Sequence, residues 1–313
     1  MPTAAAPLAA VTQQTIGPTV SSPEQPLLQN SYVTVWSTPI EAGRFGNVLV
    51  RGQTYRQQPL ACRLVAAGHW NESALKAINQ AADLLRTATR VVPLADYCQE
   101  VVPEGMLVIP IARDHPDNHS FFEMTLELAL HQLEEAPSAY SRDEALLCLV
   151  HDVATGLAEL HHHGIVHGRL GLSQSVTVAC VGPLTFRAFI TDYGVPLKDG
   201  FLSSEDVAAA LSTVVAPELR DNVHASHESR KSGDMYSLAC LSYHILSGGK
   251  WTALPHNELG KTLQDIATLD QRFPGARELL TSWLVSRQPV DESLRSQYLL
   301  LLAASPEKLL ENL

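Results

Sequence analysis

No stretch of about 18 or more apolar residues occurs in this 313-residue chain, which removes the usual signature of a membrane-spanning helix. Basic charge is short as well. Against 33 Asp and Glu stand only 22 Lys and Arg, and the formal net charge of -11 repels phosphate backbones, so nucleic acid is not an expected partner. Cysteine is sparse and scattered: Cys62, Cys98, Cys148, Cys180 and Cys240 form no CxxC pair and no adjacent ligand cluster. That spacing excludes a sequence-local zinc or redox motif and favours buried free thiols, with one or two disulfides left open for a secreted protein. The start, MPTAAAPLAAV, lacks the basic region and long apolar core of a signal peptide. No internal repeat is visible.

What remains is ample for a core. At 45% hydrophobic and 18% charged residues, the chain fits one large soluble domain or one domain of two lobes. Residues 1–29, rich in Ala, Pro, Thr, Ser and Gln without a period, are expected to be a flexible tail. Tyr32 to Val50 reads as two β-rich runs around a glycine-containing turn, and QPLACRLVA as a third strand. Ala74, Ile78, Ala81, Ala82 and Leu85 then recur at helical spacing within Asn71 to Arg90. VVPLADYCQEVV and GMLVIPIA restore strand character. From Ser120 onward helix is expected to dominate, over Phe121 to Glu135, Arg142 to His162, Met235 to Leu246, Ala276 to Val285 and Ser293 to Ala303. The clearest of these is Arg142 to His162, whose Leu146, Leu149, Val150, Val153, Leu157 and Leu160 form one apolar stripe that Gly164 ends.

Directly after that helix, LAELHHHGIVHGRL (Leu157 to Leu170) resembles the helix end and catalytic loop of protein kinases, LHxxGIVHRDL. Four further matches stand in the family's order: AGRFGNV (Ala42 to Val48) for the glycine-rich loop, ITDYG (Ile190 to Gly194) for DFG, APE (Ala216 to Glu218), and SGDMYSLACLSYHILSGG (Ser232 to Gly249) for the αF helix. The resemblance spans about Tyr32 to Leu302 and implies an α+β, bilobal protein-kinase-like fold: a small antiparallel sheet lobe with one helix over residues 30–112, and a large, mainly helical lobe over 113–313.

A kinase-like fold does not by itself imply kinase chemistry. Phosphoryl transfer needs a carboxylate that orients the nucleophile, a Lys on the phosphates held by a Glu, and magnesium ligands. HRDLKPEN is here His167, Gly168, Arg169, Leu170, Gly171, Leu172, Ser173 and Gln174. Arg169, always charged, cannot accept a proton. Gly171 replaces the phosphate-contacting Lys, and Gln174 extends the magnesium-binding amide by one carbon. LACR sets Ala61 and Arg63 in the VAIK positions, so Arg63 stands for the Lys, and Lys76 is the only lysine before Lys198. No glutamate occurs between Glu72 and Glu100, so the partner position, near Asn79 or Gln80, has no carboxylate. In the glycine-rich loop Glu41 replaces the first glycine while Gly43, Gly46 and Val48 are kept; Glu41 either crowds and repels a triphosphate or points to solvent or pairs with Arg44 or Arg63. Asp192 keeps the metal-binding position, where it binds magnesium only if nucleotide binds, or else pairs with Arg63 or Arg169. Tyr193 brings a hydroxyl that needs a partner to the Phe position. Glu218 and Asp234 are the family's scaffold acids: Asp234 is expected to bond the catalytic-loop backbone, and Glu218 to pair with Arg287 or Arg295. His161, His162, His163 and His167 straddle a helix end and are read as structural or solvent-facing, His167 packing beneath Tyr193.

These positions imply a pseudokinase with no cofactor and no resident metal. The HG start of the loop and the long Arg169 to Asp192 spacer, with its insertion near VGPLTF, are similar to the rhoptry-family kinases and pseudokinases of coccidian parasites, the bradyzoite pseudokinases among them. That likeness implies export to a vacuole, cyst wall or host cell, with other proteins as partners, possible ones being a kinase or a vacuole or cyst-wall protein. The sequons at Asn71 and Asn118 would matter only there. Two other readings stay open: a weakly active or nucleotide-switched atypical kinase, and a structural component of a cyst wall or vacuole.

Overall fold

The computed structural model describes residues 26–29, 33–41, 47–54, 56–57, 59–65, 87–93, 100–101, 107–112, 124–136, 138–168, 170, 175–191, 193, 215–216, 219, 226–249 and 268–286. The three expected strands are present as β2 (Val33–Glu41), β3 (Asn47–Thr54) and β4 (Pro59–Val65), antiparallel neighbours in sequence order. Pro26–Gln29, which composition assigns to the tail, instead form β1 and pair antiparallel with β2. A Leu-Leu pair flanked by polar residues suffices to occupy an open sheet edge, whose unpaired backbone groups gain partners from it. β5 (Glu100–Val101) and β6 (Leu107–Ala112) complete a six-stranded antiparallel sheet in the order β1-β2-β3-β4-β6-β5. The helix expected over Asn71 to Arg90 lies outside the described residues up to 86.

A second, three-stranded antiparallel sheet follows, built from β7 (Met124–Thr125), β8 (Val176–Gly182) and β9 (Thr185–Ile190). The β8–β9 hairpin lies between the expected helices Arg142 to His162 and Met235 to Leu246, in a stretch to which the sequence assigns no element. VTVACVG and TFRAFI are rich in β-branched and aromatic residues around Pro183-Leu184, a turn signal inside what looks like one apolar stretch.

On this sheet pack α1 (Leu126–Glu134) and α2 (Ala139–His162); α3 (His227–Leu246) packs on α2, and α4 (Ala276–Thr281), which runs on into a π-helical turn at Ser282–Ser286, packs on α3. Each of the first three helices starts where a hydroxyl can accept an otherwise orphaned backbone N–H: Thr125 from Leu128, Ser138 from Ser141 and Ser226 from Ser229. The caps explain the shifted boundaries. Helix α1 begins five residues later than hydrophobic periodicity predicts, and α3 eight residues earlier, because its first two turns, HESRKSGD, are polar and carry no apolar stripe. Ser226→Ala is expected to cost about 1 kcal/mol, read as a lower denaturation midpoint with unchanged slope.

The predicted stripe of α2 is the centre of the core. Leu146, Leu149, Val150, Val153, Leu157 and Leu160 are each at most 1% exposed, together worth on the order of 10 kcal/mol of gross burial. Gly164 ends the helix with φ 71, a left-handed turn that glycine tolerates, and Ile165 N–H closes it onto the Leu160 carbonyl. Helix α3 packs on α2 through Met235, Leu238, Ala239 and Leu241, and fully buried Trp283 belongs to the same cluster. Arg272 fastens the turn before α4 to α2 by a bidentate pair with Asp143 while its guanidinium lies over the Phe273 ring. No helix among the described residues is long and apolar enough to cross a membrane.

Among the described cysteines, Cys62, Cys148, Cys180 and Cys240 form no disulfide; Cys62 and Cys240 are buried, Cys148 is half-buried and Cys180 is exposed. Burial pushes the Cys62 thiol up to about 12, and burial followed by the nearby Asp152 charge raises Cys148, so neither is a ready nucleophile.

Candidate functional site

The chain leaves α2 at Gly164 and reaches His167 and Gly168, where Asp234 of α3 takes hold of it. Asp234 is only 2% exposed. Its Oδ2 accepts the His167 backbone N–H at 2.8 Å and its Oδ1 accepts that of Gly168 at 2.8 Å. A buried carboxylate is costly unless its lone pairs are filled, and the third partner is His161 Nε2, 3.0 Å from Oδ2. Nε2 therefore carries the donated proton, and Nδ1 is buried without a hydrogen-bond partner among the described residues. Gly168 has φ 77 with no atom within 4 Å of where a Cβ would lie, so its constraint is torsional rather than steric.

On the other side of the loop, buried His167 donates from Nε2 to the Thr191 carbonyl at 2.9 Å. Two residues on, Tyr193 is 5% exposed and its hydroxyl donates to the Val92 carbonyl at 2.8 Å, which supplies the partner a buried phenol requires. The backbone after Ala216 turns back, and Leu219 packs where a Cβ on Gly233 would stand, beside Asp234. Loop, β9 end and α3 thus meet at one place.

The four histidines divide. His161 and His167 are interior and hydrogen-bonded, while His162 is exposed and His163 half-buried, their rings edge to face with centroids 5.1 Å apart. They do not form a common ligand face.

Of the residues expected to form a degenerate nucleotide site, Glu41, Val48, Ala61 and Arg63 lie on the six-stranded sheet. The register pairs Glu41 with Leu49 on β3 and Leu49 with Arg63 on β4, so the three share one row, with the outer two about 10 Å apart at their Cα atoms. Val48 and Ala61 sit one and two positions to either side, opposite Leu64 and Arg51. Gly43, Gly46, Arg169, Gly171, Gln174, Asp192 and Glu218 lie outside the described residues, as do Lys76, Asn79, Gln80, Asn71, Asn118, Cys98, Arg287 and Arg295.

One polar group of the site has no forerunner in the sequence reading. Asp152, 0% exposed on α2, accepts from Arg90 Nε at 2.6 Å and from the Ala188 backbone N–H at 3.1 Å, with Arg187 3.5 Å away. Seven residues along the same helix, Glu159 accepts the backbone N–H groups of Thr89 and Arg90 and the Thr89 hydroxyl. An aspartate wedged between Val150 and Val153 in an apolar stripe was a usable signal of a buried, paired carboxylate. Glu159 offered none.

No protein-family model matches the chain. An inactive leucine-rich repeat receptor-like serine/threonine-protein kinase of Arabidopsis thaliana is 35% identical over 103 residues, 33% of this chain. The chain spans only 15% of that relative's length. Over that third, the chain is similar to a kinase-like protein whose own name marks it as inactive.

Proposed function

We propose that the chain is a catalytically inactive pseudokinase that acts by binding other proteins, as a scaffold or allosteric module, without productive ATP binding. The observation that carries this reading is a split at one loop. Asp234 clamps the backbone of His167 and Gly168 from the core, whereas between His167 and Gln174 no carboxylate and no lysine occurs. Architecture of the kinase type persists while the groups that would orient a nucleophile and neutralise a triphosphate are replaced by Arg169, Gly171, Gln174 and Arg63. The inactive relative supports the same direction. In this reading the sheet lobe extends to about residue 112 and the helical lobe follows; partners are proteins, reached through exposed surface. Export from a parasite and a place in a vacuole or cyst wall rest on the rhoptry-family likeness of the HG start and the long spacer to Asp192.

A thermal-shift titration with ATP, with and without magnesium or manganese, tests the reading. Ligand at a hundredfold excess over its Kd stabilises a native protein by about 2.7 kcal/mol, a shift of several degrees. The expected result is no shift. A magnesium-dependent rise would reject the loss of productive nucleotide binding and favour the nucleotide-switched reading, for which retained Asp192, Gly43 and Gly46 speak. Transfer from labelled ATP that disappears in Asp192→Ala would overturn the pseudokinase reading itself.

A further inference from the structure

Residues 89–92 are bound at nearly every backbone polar group, and the partners come from three separate elements. Glu159 of α2 accepts the Thr89 and Arg90 N–H groups at 2.8 and 2.9 Å. The Arg90 carbonyl accepts from Ile190 N–H at 2.8 Å, and Val92 N–H donates to the Ile190 carbonyl at 2.8 Å, a parallel bridge centred on Val91. The Val92 carbonyl receives the Tyr193 hydroxyl. Arg90 then reaches past Glu159 to buried Asp152, which also holds the Ala188 N–H of β9. Val91 and Val92 are each 1% exposed and belong to the main core.

Helix α2 is shaped for this approach. Asp152, Gly156 and Glu159 stand at i, i+4 and i+7 on one face. At Gly156 an added Cβ would lie 2.5 Å from the Arg90 carbonyl oxygen and 3.0 Å from Ile190 Cγ1, so the segment lies directly on the helix backbone between the two carboxylates.

We propose that residues 89–92, Asp152, Glu159, Ile190 and Tyr193 form a conformational clasp that opens and closes as one unit and holds the tyrosine after β9 in a single position without a bound ligand. Tyr193 is placed by a hydroxyl bond to Val92; Val92 is placed by Ile190 and, through Arg90, by α2. A change at either carboxylate therefore reaches Tyr193 through Arg90 and Val92. The clasp sets the conformation of the candidate site from the helix side, and it does so whether or not nucleotide binds, so it stands or falls independently of the pseudokinase reading.

Amide hydrogen exchange on the full chain tests it, comparing wild type with Glu159→Gln and Tyr193→Phe after both have been shown to keep the native circular dichroism. Tyr193→Phe removes the hydroxyl that donates to the Val92 carbonyl. In a cooperative unit it accelerates exchange at Thr89, Arg90, Val92 and Ile190 by one common factor, about fivefold, and leaves the interior amides of α3 unchanged. Glu159→Gln is expected to accelerate the same set, Val92 and Ile190 included, by about tenfold. If Glu159→Gln speeds only Thr89 and Arg90, or Tyr193→Phe leaves both at their wild-type rates, the contacts are independent and the clasp is rejected. Equal acceleration of the α3 amides in both variants would also reject it, since the segment would then open only with the whole core.

Discussion

Asp234→Ala is expected to lower stability by about 3–5 kcal/mol, a fall in melting temperature of roughly 5–8 °C, measurable by calorimetry or denaturant titration. The size follows from what the carboxylate leaves behind. Two backbone N–H groups, of His167 and Gly168, and the Nε2 proton of His161 converge on its two oxygens inside the core, within 2.8 to 3.0 Å. Removing the acceptor strands the buried donors of His161 and His167, each costing about 1–3 kcal/mol, while the Gly168 N–H belongs to an exposed residue and costs less. Asp234→Asn sharpens the test. The amide keeps one acceptor oxygen but turns an NH2 group towards donors, so it should recover less than half of the loss. Both variants should unfold cooperatively if Asp234 is a scaffold group. A loss below about 1 kcal/mol for Asp234→Ala would show that the loop finds other partners.

The second large effect is a sign. Alanine is a better helix former than glycine by about 1 kcal/mol, so Gly156→Ala in the middle of α2 should stabilise the protein if propensity decided. The structure predicts the opposite. A Cβ 2.5 Å from the Arg90 carbonyl oxygen meets backbone, not the end of a flexible side chain, and Ile190 Cγ1 at 3.0 Å closes the other side. Either the helix or residues 89–92 must move by several tenths of an ångström, against the bonds to Glu159 and Ile190, and overpacking of this kind costs about 1–3 kcal/mol. Gly156→Ala is expected to be destabilised by about 1 kcal/mol net in a denaturant titration, with faster exchange at Arg90 and Val92. A more stable variant would mean that the segment yields without penalty.

These two positions show how unevenly the sequence discloses the molecule. The strands from Val33 to Val65 were legible from β-rich runs around a glycine-containing turn, and the stripe of α2 because its burial repeats every three to four residues. The start of α3 was not, because HESRKSGD has no apolar period and only the Ser226 cap marks it. The β8–β9 hairpin goes unassigned because the stretch reads only as a long spacer with an insertion near VGPLTF. Asp234 was singled out through resemblance rather than from its neighbours, and its predicted bonds to the loop backbone are present. His167 was expected in the core and is there, held by the Thr191 carbonyl. The hydroxyl of Tyr193 was expected to need a partner, but nothing in the sequence pointed to Val92, 101 residues earlier.

What the sequence determined by itself is chemical inventory. Arg169 is an arginine, Gly171 has no side chain, and residues 73–99 contain no glutamate, wherever the chain places them. Side-chain identity sets whether a proton can be accepted or a charge neutralised before any fold is known. Only the tertiary structure decided which ordinary residues became structural: Glu159 and Arg90 look like solvated charges, and Gly156 like a flaw in a helix. They acquire their roles from partners 62 to 70 residues away in the chain. Contacts at that separation leave no periodic mark, because their geometry arises only when α2, β9 and residues 89–92 are packed into one core.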